Sequence, residues 1–227
     1  MKSKQSGFTL IEIAIVLVII GLLLGGVLKG QELINSAKVK NLATDFKNIP
    51  VYIYGYQDKF RALPGDDSQA ASHVTGGVTC TPTATSSCTL GNGMIDGNWN
   101  DVTSASESFV FWQNVRIAGL APGSTDVTQG VAYLPTNATG GIVGIQSGTN
   151  DATKTPIKDS TGAAIRGSYI VCSAGILGKF AKQLDIQMDD GNTASGSMMA
   201  GVPNATGPMT AVATPDDATA YTVCMGI

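Results

Sequence analysis

The chain has 227 residues, 43% of them hydrophobic, with 14 Lys and Arg against 17 Asp and Glu and a formal net charge of −3. An acidic balance offers no broad basic surface for nucleic acid. The hydrophobic content with 28 glycines describes a loop-rich folded chain and excludes a disordered one. In chain order, the first element is "KSKQSGFTLIEIAIVLVIIGLLLGG", beginning at Lys2. From Phe8 to Leu28 every residue is apolar, Gly or Thr except Glu12, a run long enough to cross a bilayer as a helix. Lys2 and Lys4 precede it and no acidic residue does, a bias that keeps the N-terminus cytoplasmic and sends the rest outward. A secretory signal has a shorter apolar core, ending in a small-residue cleavage site. Here "VLKGQELINSAK" continues as an amphipathic helix, and the small residue is Gly7, ahead of the apolar run.

Glu12 is the anomaly. A carboxylate at membrane depth costs about 2.5–3.5 kcal/mol on insertion scales and ordinarily has a functional partner. One reading places it near the helix end, within reach of headgroups. The other supplies a positive partner by processing: cleavage between Gly7 and Phe8 frees an amine on Phe8, and staggered neighbouring helices pair that amine with Glu12. A cost to the monomer then becomes a register device in an assembly.

"GFTLIEIAIVLVIIGLLLGG" resembles the processing and polymerisation segment of type IV pilins and pseudopilins. The resemblance implies that Gly7 precedes the cut, that Phe8 is the new, N-methylated terminus and that Glu12 is the assembly glutamate. It further implies three partners: a membrane prepilin peptidase that cuts and methylates, an inner-membrane assembly platform, and other copies of this chain or related pilins. The expected location is the bacterial inner membrane, single-pass with a periplasmic head, and then a cell-surface filament. The expected organisation is a leader at 1–7, a long helix at 8–61 with its membrane and polymerisation part at 8–28, and a globular head at 62–227. The fold class is α+β and pilin-like, the helix packed on a small antiparallel sheet with extra helices and long loops. A structural subunit of a type IV pilus-like filament is the leading function. A type II secretion pseudopilin and a minor, tip-located adhesive pilin are the alternatives.

Helical signals run to about Arg61, with Pro50 expected to kink or locally break the helix. Gly21, Gly25, Gly26 and Gly30 either pack helices closely in the bilayer or mark a segment able to unwind. Pilins often carry a proline shortly after these glycines; this chain has Lys29 in that vicinity. After "ALPGDD" the adjacent Asp66 and Asp67 read as turn and N-cap residues. A Thr-, Ser- and Gly-rich loop leads to a helix in "SASESFVFWQNVRIAGL", then apolar stretches at "GVAYLP" and "GGIVGIQ" and a polar insert. "GSYIVCSA" reads as a strand, and Ile176, Phe180 and Leu184 fall at helical spacing. "DDGNTASGSMMAG" marks a stop and a hairpin, with Asp189 and Asp190 as turn formers, and "ATAYTVCMGI" is a closing strand. The ordered blocks "KFRALPGDD", "GNGMIDG", "ESFVFWQNVRIAGL" and "LDIQMDDGNTASG" are similar to those of a subset of larger prepilin-like proteins, so the resemblance extends into the head. From Ala62 onward 13 acidic residues face six basic ones, a net of −7.

Cys80, Cys88, Cys172 and Cys224 all follow the membrane segment, on the side where disulfides persist. Three pairings are open. The reading favours Cys80–Cys88, closing "CTPTATSSC", and Cys172–Cys224, tying a central strand to the last one, with metal ligation or free thiols as alternatives. The pilin resemblance supports the second bridge. In "DGNWNDVTSASE" Asp96, Asn98, Asn100, Ser104 and Glu107 fall at positions 1, 3, 5, 9 and 12 of an EF-hand-like calcium loop, with Val102 offering its carbonyl at position 7. Position 6, where Gly is expected, is Asp101, and such residues also serve as plain turn and helix-start residues. No other cofactor is expected. The single histidine, His73, has no partner at triad or metal spacing, and no G-x-S-x-G, Walker A or H-E-x-x-H pattern occurs, so no enzymatic role is expected.

Overall fold

The computed structural model describes residues 10–82, 87–204 and 207–227. It divides into two compact units, the first ending at Lys38 and the second spanning Val39–Ile227. Helix α1 (Leu10–Phe60) supplies all of the described part of the first unit and enters the second. Residues 10–38 include no buried side chain, and the apolar residues from Leu10 to Leu28 all point into open space. The backbone is helical through Gly21, Gly25, Gly26 and Gly30. This helix is long and apolar enough to cross a membrane.

The second unit begins inside α1. Val39, Leu42, Ala43, Phe46, Ile49, Ile53 and Tyr56 recur every three or four residues and are all buried, so one stripe of the helix becomes the core of the head. The helix assignment passes through Pro50 without the expected break. Proline removes one ladder bond, but Ile49 and Ile53 on either side are locked into the core at 1% exposure each. The helix stops at Phe60 because Arg61 turns left-handed, φ 56°, with its N–H on the Gln57 carbonyl at 2.9 Å.

The head continues with α2 (Ala70–His73), α3 (Glu107–Ile117), a 3₁₀ helix (Val127–Tyr133), β1 (Val143–Ser147), β2 (Ile157–Lys158), β3 (Tyr169–Leu177), α4 (Gly178–Met188), β4 (Met198–Gly201), β5 (Met209–Thr210) and β6 (Ala220–Gly226). Four strands form an antiparallel sheet in the order β1-β3-β6-β4, and β2 pairs with β5 in a separate parallel ribbon. Alternation assigns the two faces. Val171, Val223, Met198 and Ala200 join the α1 core. Ile170, Cys172, Cys224 and Met199 point the other way, into a second cluster with Ile157 and Met209 of the ribbon. Both faces of the sheet are therefore covered, by α1 on one side and by the ribbon on the other.

Two local readings change. Ile176 belongs to β3, after a register shift between Ser173 and Ile176, and the helix starts only at Gly178. The stretch read as a hairpin after α4 instead delivers β4 to the far side of β6.

Candidate functional site

Glu12 lies in the first turn of α1 and is exposed, at the start of the run of exposed apolar residues. Gly7 and Phe8, the predicted cleavage and methylation positions, lie outside the described residues. The segment presents apolar surface around its whole circumference, with one acidic position near its start. Such a surface is stable in water only when lipid or other helices cover it.

In the head, α3 organises the long irregular stretch on either side of it. Every residue from Glu107 to Arg116 is buried. Phe109, Phe111, Trp112 and Val115 are part of the α1 core, and the polar residues between them bond to loop backbone. Asn114 accepts the Gly65 N–H at 2.9 Å and donates to the Val78 carbonyl at 3.1 Å. Gln113 accepts the Val78 N–H at 2.9 Å and donates to the Gly76 carbonyl at 3.1 Å. Arg116 donates to the carbonyls of Pro122, Ser124 and Tyr133 at 2.8–3.0 Å. Gly65, φ 93°, lies so close to the Glu107 carbonyl that a side chain there would collide with it. Loops cannot bury their polar backbone without such partners.

Asp66 and Asp67 are more than turn residues. Both are buried, at 4% and 2% exposure. The Asp66 carboxylate gathers the N–H groups of Gly91, Asn92 and Gly93. Asp67 accepts the Tyr56 hydroxyl at 2.7 Å and meets His73 Nδ1 at 2.6 Å, while the imidazole stacks on Phe60. His73, unpartnered by sequence spacing, thus pins the turn after α1. The turn signal "PGDD" was visible in the chain; the remote partners were not.

The calcium-like loop makes a set of contacts within the protein. Glu107 points inward and takes the Thr89 N–H on Oε1 at 2.7 Å and the Asp96 N–H on Oε2 at 2.9 Å. The Cys80 sulfur 3.7 Å away is oxidised and makes only a contact. Burial lifts the Glu107 carboxyl to about 7, with the two N–H bonds opposing the rise. Asp96 accepts from Asn92, and Asn98 donates to Asp101 through N–H and side chain. Asn100 and Val102 are exposed, and the Ser104 carbonyl accepts the Thr81 N–H.

The cysteines pair as Cys80–Cys88 and Cys172–Cys224. The second bridge joins residues directly opposite each other on β3 and β6, on the face covered by the ribbon. The first sits beside α3, packed with Val110. Of the tryptophans, Trp112 is core and Trp99 packs against the second cluster. Asn137, which begins an N-x-T sequence, is buried and bonds Ser173 and the Ala174 carbonyl.

No curated protein and no solved structure gives a match to this chain. A family model does match at its start, over the segment whose length, exposure and single carboxylate are described above. Residues 2–28 carry the prokaryotic N-terminal methylation motif, the prepilin-type signal of type IV pilins and pseudopilins.

Proposed function

We propose that this chain is a structural subunit of a type IV pilus-like filament. The observation that carries the reading is the methylation motif at residues 2–28, together with a helix whose apolar residues from Leu10 to Leu28 are all exposed. A prepilin peptidase removes residues 1–7 and methylates the amine of Phe8. Before assembly the helix sits in the inner membrane, and in the filament the same surface packs against other subunits. Burying it in either medium removes apolar area from water at about 25 cal/mol per Å². In the filament, Glu12 of one subunit pairs with the Phe8 amine of its neighbour. That pair fixes the axial stagger, because a bare carboxylate among apolar helices is costly and one register alone relieves it. The head folds outside the cytoplasm, in keeping with its two disulfides.

The test is intact-mass and N-terminal analysis of the chain from shed filaments and membranes of the native cell, with a Glu12→Gln strain alongside. A chain beginning at methylated Phe8 and abundant in filaments, with Glu12→Gln processed but absent from them, supports the proposal. The processed chain confined to membranes would assign it to a type II secretion pseudopilus or to a minor subunit. An unprocessed chain in mature membranes would overturn the pairing of Glu12 with a new amine.

A further inference from the structure

Helix α4 buries Phe180, Ala181 and Leu184 in the core of the head. Asp185 falls on the same stripe, four residues after Ala181, and is 0% exposed. Neither oxygen of its carboxylate has a hydrogen-bond partner of good geometry. An unpaired polar group in such a place costs several kcal/mol if charged, so its retention calls for a partner. What surrounds it is more negative charge. Asp189 and Asp190 bring one carboxylate oxygen each to within 4.8 Å of one on Asp185 and of each other. Among the described residues no Lys or Arg pairs with any of the three; the nearby Lys182 reaches Asp217 instead, at 2.6 Å. The cluster also sits at the C-terminal end of α4, whose last turn holds no basic residue, where the helix dipole adds to the negative potential.

We propose that Asp185, Asp189 and Asp190 bind a calcium ion that fastens the end of α4 to the loop leading into β4. Calcium–oxygen distances of about 2.3–2.6 Å place ligands on opposite sides of the ion about 4.6–5.2 Å apart. Three oxygens within 4.8 Å of one another fit on that shell. Magnesium needs a tighter octahedron, about 4.0–4.2 Å across. The loop is bent for the purpose. Asp189 uses Oδ2 to hold the Met198 N–H at 2.9 Å, and Asp190 uses Oδ1 to hold that of Asn192 at 2.8 Å, and the second oxygen of each carries no hydrogen bond among the described residues. Gly196, φ 93°, passes so close to the Asp189 carboxylate that a side chain there would strike it. Asp190 is exposed, which leaves room for water to complete six to eight ligands. An ion supplies the positive charge that this environment lacks.

The experiment is thermal unfolding and calorimetric titration of the chelator-treated full chain in detergent, with calcium chloride as the probe. Calcium is expected to raise the Tm of the wild type in a concentration-dependent way. Asp185→Asn should raise the metal-free Tm and abolish the calcium response. Asp190→Asn, a surface change that leaves folding intact, should weaken calcium binding about tenfold or more. No calcium response in the wild type overturns the proposal, and so does a response that persists unchanged in both variants. The readout does not depend on processing or filament assembly, so its failure is separate from any failure of the functional reading.

Discussion

Residues 143–227 and residues 62–134 lie in the same head and are held by different physics. In the first, backbone bonds backbone: four antiparallel strands, alternating side chains filling two cores, and one disulfide across neighbouring strands. In the second there is little ladder, and buried side chains of α3 together with Asp66 and Asp67 take up the loop N–H and carbonyl groups one by one. A ladder distributes its strength over many equivalent bonds. A set of side-chain anchors concentrates it, so single substitutions should matter more there.

The largest expected effect tests the ladder region. Replacing Cys172 and Cys224 by Ser opens a loop with a sequence separation of 52 and should cost about 4 kcal/mol by chain entropy, read from urea unfolding. Asn114→Ala tests the anchored region. It orphans the Gly65 N–H and the Val78 carbonyl and should cost about 2–4 kcal/mol. Hydrogen exchange should then rise across residues 63–95 while the amides of β3 and β6 stay protected. Equal loss of protection in the sheet would erase the distinction between the two regions. Replacing Cys80 and Cys88 by Ser, across a separation of 8, should cost less, about 2.5 kcal/mol.

Acidity sharpens the contrast further, because one of the anchors titrates. The Glu107 carboxyl stands near 7 in the head against an ordinary 4.5, so between those values the folded chain holds a proton that the unfolded chain has lost. Stability from this group is complete below about 4.5 and is lost as pH rises through about 7. The Tm should therefore fall across that interval, and Glu107→Gln should remove this group's share of the fall at the cost of one N–H acceptor. A wild-type profile that rises with pH there would show that the N–H bonds dominate. The smallest effect lies at the end of α1: Arg61→Gly relieves a left-handed residue and should gain about 1 kcal/mol.

The parts readable in the chain were those written in local pattern. The apolar run with Glu12, the strand around Cys172, the closing strand and the core of α3 all announce themselves through length and periodicity. Pro50 does not end the helix because its cost is local while the packing of Ile49 and Ile53 is not. Ile176 kept a helical spacing with Phe180 and Leu184 yet pairs with Tyr221 in the sheet, since an apolar residue at an element junction satisfies both patterns. The remote partners of Asp66, His73 and Asn114 left no spacing signal at all. Their bonds span separations of six to 49 residues and exist only once the loops have closed. Glu107 was picked out for its place in a ligand series; the Thr89 and Asp96 N–H groups that it accepts left no spacing signal.

The strand order carries a consequence for folding. β6 is an interior strand of the sheet, flanked by β3 and β4. Until Ala220–Gly226 docks, β3 and β4 each keep an open edge and Cys172 has no Cys224 to meet. Such edges are templates for pairing with another chain. One strand thus closes two edges and aligns one disulfide in the same step.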